Sequence, residues 1–125
     1  MEEVMYQTLE EFNKLPKDKQ TGCVQWFNGT KEWYKEGKLH REDGPAVEYA
    51  DGTKEWYKDD ELHRLEGPAV EFTNGNKEWY KEDLLHRLDG PAVEYENGDK
   101  VYYLDGVRCS YTEWYAIVND LEKFI

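Results

Sequence analysis

Ala46-Val47-Glu48-Tyr49-Ala50-Asp51-Gly52-Thr53-Lys54-Glu55-Trp56-Tyr57 decides how this chain folds. A short alternating segment runs into Asp-Gly and is followed by a second strand-like segment, the strongest local signature of a β-hairpin. The pattern recurs. Cys23-Val24-Gln25-Trp26, Ala69-Val70-Glu71-Phe72 and Ala92-Val93-Glu94-Tyr95 match its first arm, and Lys31-Glu32-Trp33-Tyr34, Lys77-Glu78-Trp79-Tyr80 and the decayed Lys100-Val101-Tyr102-Tyr103 match its second. The turn glycines Gly29, Gly52, Gly75 and Gly98 stand 23 residues apart. A period of this length marks a stacked repeat architecture. A catalytic site is a single asymmetric constellation, so any residue copied in every repeat is read first as part of the scaffold.

The turns set an expected register. With a two-residue Asp51-Gly52 loop, Tyr49 faces Lys54, Glu48 faces Glu55 and Val47 faces Trp56, so Val47, Tyr49 and Trp56 share a core face. A second turn follows each Trp-Tyr pair, at Glu36-Gly37, Asp59-Asp60, Glu82-Asp83 and Asp105-Gly106. The same loop length sets Trp33, Trp56 and Trp79 opposite His40, His63 and His86, and sets Glu32, Glu55 and Glu78 opposite Arg41, Arg64 and Arg87. Asp60 and Asp83 replace glycine where positive φ is wanted, which predicts looser turns there. Asp43-Gly44-Pro45, Glu66-Gly67-Pro68 and Asp89-Gly90-Pro91 close the repeats, and proline confines these points to strand starts or edges.

The expected architecture is a single, mainly β repeat domain over 1–125. It is an elongated antiparallel meander of 23-residue hairpin repeats over 22–109, with helical caps at 1–21 and 110–125. Each repeat advances roughly 10 Å at a strand spacing of about 4.8 Å. Thr8 is placed to cap the first helix, Glu10 and Glu11 suit its positive end, and Leu9, Phe12 and Leu15 form its apolar stripe before Pro16 ends it. Trp114, Ile117, Val118, Leu121 and Phe124 have helical spacing at the other end. Both caps would shield terminal strands from edge pairing.

Composition narrows the partners. Apolar residues make up 38% of the 125 residues and mean hydropathy is −1.02, which suits a thin sheet more than a thick core. The formal net charge of −12 opposes direct binding to nucleic acid or anionic membranes and favours basic partners. No apolar run approaches the roughly 20 residues of a membrane span, and Met1-Glu2-Glu3-Val4 lacks the opening of a signal peptide. Cys23 and Cys109 sit at opposite ends of the array, too far apart to bridge, so the expected setting is the reducing cytoplasm.

The residues able to carry chemistry each have a scaffold reading. His40, His63 and His86 stand about 10 Å apart by strand spacing, whereas zinc needs ligands at about 2.0–2.1 Å, so a Trp–His ladder accounts for them better than a metal. Arg41, Arg64 and Arg87 could bind phosphates or carboxylates, but each faces a glutamate and is followed closely by an Asp or Glu, which predicts a structural ion pair. Acidic pairs occur at every turn and none stands out as a general acid and base. The expectation is a non-enzymatic protein without metal or cofactor. Tyr34, Tyr57, Tyr80 and Tyr103 alternate away from the tryptophans and cover the other side of the sheet, a position from which they could stack on rings.

The string Leu39-His40-Arg41-Glu42-Asp43-Gly44-Pro45-Ala46-Val47-Glu48-Tyr49 resembles the His-Arg-x-Asp-Gly-Pro-Ala repeat of many bacteriophage and giant-virus proteins, which is similar in pattern to MORN-like hairpin repeats. The resemblance covers about residues 22–115 and implies a scaffold that binds proteins or lipids. Three functional expectations follow. The first is a phage-encoded inhibitor, acting in the host cytosol, whose acidic surface (Glu36, Glu42, Asp43, Asp59, Asp60, Glu61, Glu82 and Asp83) docks on the basic, nucleic-acid-binding surface of a host defence protein such as a CRISPR or restriction effector. The second is a nucleotide or small-molecule sponge using Tyr34, Tyr57, Tyr80, Arg41, Arg64 and Arg87. The third is an assembly protein forming homo-oligomers through sheet edges.

Overall fold

The computed structural model describes residues 5–6 and 9–122. The molecule is mainly β. Ten strands follow one another across the main sheet in chain order: Met5–Tyr6, Gly22–Gln25, Lys31–Lys35, Val47–Glu48, Lys54–Glu55, Val70–Glu71, Lys77–Glu78, Val93–Glu94, Lys100–Leu104 and Val107–Cys109. Neighbours are antiparallel, so the sheet is a meander; only Met5–Tyr6 lies parallel, beside Gly22–Gln25. Short ribbons branch from it, with Lys38–Leu39 folding back on Lys31–Lys35, Glu61–Leu62 on Tyr57–Lys58, and Leu84–Leu85 on Tyr80–Lys81.

The two kinds of turn exchange the expected roles. At Asp51-Gly52 the pairs are Glu48 with Lys54 and Val47 with Glu55, one residue away from the expected register. The Tyr49 N–H donates to the Thr53 carbonyl and the Gly52 N–H to the Tyr49 carbonyl, both at 2.9 Å, so the loop holds three residues. Only the glycine there has positive φ (+97°), as in a type I turn followed by a bulge. The Asp51 carboxylate accepts the Thr53 N–H at 2.8 Å, which stabilises the wider loop. The second turns are the true two-residue loops. Both central residues have positive φ: Glu36 and Gly37 (50° and 80°), Asp59 and Asp60 (48° and 69°), Glu82 and Asp83 (48° and 68°). The expected pairing holds here: His40, His63 and His86 donate their N–H to the carbonyls of Trp33, Trp56 and Trp79 at 3.0–3.1 Å.

The register shift reassigns the faces. Residues directly opposite share a face, so Val47 stands with Glu55 and not with Trp56. The row across the sheet reads Val24, Glu32, Val47, Glu55, Val70, Glu78, Val93. Val24, Val47, Val70 and Val93 are 0–5% exposed and form the core with Ala46, Ala69 and Ala92 at 0%. Burying each valine is worth about 1.5–3 kcal/mol against leaving it in water. The neighbouring row lies on the opposite face and alternates in charge: Lys31, Glu48, Lys54, Glu71, Lys77, Glu94, Lys100. Opposite charges placed directly across from each other support the sheet.

A short helix precedes the main run of strands and a longer one follows it. The first, α1 (Leu9–Asn13), is shorter than expected, and a 3₁₀ turn at Lys17–Lys19 follows Pro16. Its Phe12 is 2% exposed and packs on Tyr34 with ring centroids 4.9 Å apart. The C-terminal helix α2 (Tyr111–Glu122) opens on a reciprocal cap: Ser110 Oγ accepts the Glu113 N–H, and the Glu113 carboxylate accepts the Ser110 N–H. Trp114 is 7% exposed and Ile117 is 45% exposed, so among the described residues of the expected stripe Trp114 alone is buried. Thr8, Phe124 and the side chains of Leu9 and Leu121 lie outside the described residues. Cys23 is buried and Cys109 half-buried, and no disulfide joins them.

Candidate functional site

The motif residues are consumed by the fold. The guanidiniums of Arg41, Arg64 and Arg87 lie 3.8 Å from the ring centroids of Trp33, Trp56 and Trp79, a cation–π stack. On its other side each guanidinium lies over the motif glycine: a Cβ added at Gly44, Gly67 or Gly90 would fall 3.1, 2.9 or 2.7 Å from the arginine Cζ. Nη1 of each donates to the carbonyl of the following proline, Pro45, Pro68 or Pro91, at 3.0–3.2 Å. The spacing His-Arg-x-Asp-Gly-Pro thus lets a flat cation slip between an indole and a side-chain-free backbone.

Two of the arginines pair with the acidic residue that follows them in the motif, as expected, and none pairs with the expected cross-strand Glu32, Glu55 or Glu78. Arg41 and Arg87 pair with Asp43 and Asp89 at 3.2 and 2.8 Å, and Arg64 and Arg87 reach Glu71 and Glu94 on the next strand at 3.9 and 2.9 Å. Glu32, Glu55 and Glu78 lie in the valine row instead and accept the hydroxyls of Tyr34, Tyr57 and Tyr80 at 3.3, 3.2 and 3.1 Å. Glu55 also accepts Tyr49 Oη at 2.9 Å, and Glu32 accepts the Trp26 indole N–H. Burial, followed by the neighbouring carboxylate, pushes the Tyr34, Tyr49 and Tyr80 hydroxyls up to about 12 and Tyr57 further in the same direction. The tyrosines are therefore held as proton donors. Their hydroxyls and the guanidiniums lie on opposite faces of the sheet.

The histidines tie each Trp–His hairpin to the second turn that follows it. Nδ1 of His40, His63 and His86 accepts the N–H of Asp59, Glu82 and Asp105, 19 residues later, at 2.9–3.2 Å. The proton of each neutral ring then sits on Nε2. For His40 this atom is buried and lies 3.6 Å from Glu42, beyond hydrogen-bonding distance. Among the described residues no group of three or more His, Cys, Asp or Glu side chains could hold a metal ion.

Asp60 and Asp83 tighten the turns they were expected to loosen. Asp60 Oδ1 accepts the Leu39 N–H at 2.7 Å while the Asp60 N–H donates to the Leu39 carbonyl at 2.9 Å. Asp83 and Leu62 repeat both bonds at 2.6 and 2.9 Å. The glycine turns keep the main-chain half alone: Gly37 donates to the Gln20 carbonyl and Gly106 to the Leu85 carbonyl.

These bonds bring the expected acidic residues into a row. Glu36, Asp59, Asp60, Glu61, Glu82 and Asp83 are all exposed along one edge, the line of second turns, and Glu42 and Asp43 lie exposed on the adjoining loop. Asp59, Glu61 and Glu82 meet at a shallow cleft of about 220 Å³ with Lys58 and His63. Glu36 is the weakest member, since Lys35 and Lys38 flank it. Asp105, which sequence reasoning did not include, extends the row at 74% side-chain exposure and 3.3 Å from His86; its place in the fourth second turn was the signal for it.

Two larger open clefts lie between successive motif loops. One, of about 830 Å³, is lined by His40, Arg41, Trp56 and Arg64 among others; the next, of about 730 Å³, is lined by the equivalent His63, Arg64, Trp79 and Arg87. No described helix is long and apolar enough to cross a membrane. Comparison with known family models, curated proteins and solved structures finds no match to this chain.

Proposed function

We propose that the protein is a non-enzymatic binding module that docks its acidic turn edge on the basic, nucleic-acid-binding surface of a partner protein. The chain is read as an array of four 23-residue hairpin units between helical caps. The observation that carries the proposal is the row from Asp59 to Asp105. Its carboxylates project from turns fixed to the preceding repeat by the His and Asp bonds, so a line of negative charge is held at a set interval. Two strand spacings give an interval of about 10 Å. Charge held on rigid backbone loses little conformational freedom on binding, and at net −12 it steers the chain toward cationic surfaces. In its specific form the partner is a nucleic-acid-handling defence enzyme and the module is its inhibitor, with carboxylates standing where phosphates would lie.

The scaffold use of Arg41, Arg64, Arg87 and the tyrosine hydroxyls favours this reading over a nucleotide sponge. The test is capture of partners from a bacterial lysate by the tagged protein at low and high salt, beside an Asp59→Asn/Glu61→Gln/Glu82→Gln variant. The expected result is a basic nucleic-acid-binding protein retained at low salt, released at high salt, absent with the variant, and displaced by duplex DNA. Capture that survives the triple substitution, or that DNA does not displace, overturns the proposal.

A further inference from the structure

We infer that the valine face of the sheet carries a second docking row, which takes the guanidinium groups of an extended, arginine-bearing segment of a partner protein. Its rings are Trp26, Tyr49, Phe72 and Tyr95. They follow the buried valines Val24, Val47, Val70 and Val93 by two residues and so share their face. Each is 39–44% exposed. Among the described residues none of the four meets another ring or a cation.

Glu32, Glu55 and Glu78 supply the charge. They lie half-buried in the valine row. Trp26 and Tyr34 both donate to Oε1 of Glu32, Tyr49 and Tyr57 both to Oε1 of Glu55, and Tyr80 to Oε1 of Glu78. These bonds fix each carboxylate beside the aromatics. The second oxygen, Oε2, receives no donor among the described residues, and it is not buried. Lys31, Lys54 and Lys77 belong to the row on the other face. Among the described residues no lysine or arginine pairs with the three glutamates.

The third repeat is the most open. Phe72 stands where Tyr49 stands one repeat earlier and has no hydroxyl, so Glu78 accepts one of these bonds where Glu55 accepts two. Val101 replaces the next glutamate and ends the series.

An accessible carboxylate oxygen beside an exposed ring suits a guanidinium, which donates to the oxygen while its plane lies on the ring. The net charge of −12 draws such a group in. Successive glutamates stand two strand spacings apart, about 10 Å. A polyproline II segment has about three residues per turn and rises about 3.1 Å per residue, so every third side chain recurs on one side after about 9.3 Å. Arginines at every third residue would therefore meet successive sites. The row lies on a sheet face and the acidic residues on the turn edge, so either can fail without the other.

The probe is a blocked peptide of three Arg-Pro-Pro units, titrated into the full-length chain at physiological ionic strength. Amide ¹H–¹⁵N shifts are expected to change saturably along residues 24–34, 47–57 and 70–80. The same peptide with citrulline in place of arginine should leave them unmoved. Glu78→Gln keeps an acceptor for Tyr80 and removes the charge, which should weaken binding about fivefold. Phe72→Leu, at an exposed position, keeps an apolar side chain and removes the ring, for a loss of about threefold. A peptide of the same composition with its three arginines adjacent should bind about tenfold more weakly. Absence of saturation, shifts centred on the second turns at 59–61 and 82–83, binding of the citrulline peptide, or indifference to both substitutions overturns the row. Equal affinity of the two arginine arrangements overturns the three-residue spacing.

Discussion

Asp83 separates two accounts of the second turn. If aspartate merely substitutes for the glycine found at Gly37 and Gly106, Asp83→Gly should relieve its φ of 68° and stabilise the protein. The structure argues the opposite. The Asp83 carboxylate accepts the Leu62 N–H at 2.6 Å, and hydrogen bonds to charged groups contribute about 1.5–3 kcal/mol, here at the low end because the edge is exposed. Glycine removes that bond and adds about 0.5 kcal/mol of chain entropy, while recovering up to about 1 kcal/mol of left-handed strain. The net expectation is a destabilisation of about 1 kcal/mol. Asp83→Ala loses the same bond and takes on the left-handed penalty that aspartate partly avoids, for about 2 kcal/mol. Urea denaturation at 25 °C and pH 7, followed by tryptophan fluorescence, resolves all three proteins, with an unchanged denaturant slope expected. A glycine variant more stable than the natural chain would refute the clasp.

Two further outcomes follow from the two faces of the sheet. Tyr34, Tyr49 and Tyr80 titrate near 12 when folded against 10.0 for an exposed tyrosine, so they favour the folded state fully below pH 10, and this stability is lost as pH rises through 12. Phenolate absorbance and circular dichroism should therefore change together in that window; phenolate formation near pH 10 by all the tyrosines of a still-folded chain would contradict the packing. On the other face, Arg64→Lys keeps the charge but loses the planar stack on Trp56 and weakens the bond to the Pro68 carbonyl, which should cost about 1–2 kcal/mol in the same urea assay; a neutral result would show that the stack adds nothing to stability.

How much of this was legible in the sequence depends on the range of the interaction concerned. The positions of the turns were readable because Asn-Gly and Asp-Gly are local signals. The size of the loop was not, because the same dipeptides serve a two-residue turn and a three-residue loop with a bulge. Here the Asp51 side chain reaching Thr53 accompanies the wider one. One residue of slip moved Val47 from Trp56 to Glu55, whereas the Glu32–Arg41 pairing expected from the other turn fails because Glu32 pairs with Val47 of the main sheet. The Trp–His pairing survived because its own turn was read at the right length.

The acidic edge was legible as composition and not as structure. Nothing near Asp60 in the chain announces that its carboxylate bonds Leu39, 21 residues earlier. The 23-residue period carries that information only in combination, since each second turn must meet the strand end of the repeat before it. The same holds for the motif glycines. A glycine three residues after an arginine reads locally as a turn residue, yet a Cβ at Gly90 would lie 2.7 Å from the Arg87 guanidinium. Gly90→Ala would therefore force the guanidinium off Trp79 or the loop outward. In this chain the repeat period shows which residues are equivalent, and the contacts between repeats decide what each equivalent residue does. Trp114 follows from that rule: where Ser110 breaks the arginine series, no guanidinium covers Tyr102, and the Trp114 ring of α2 rests there instead.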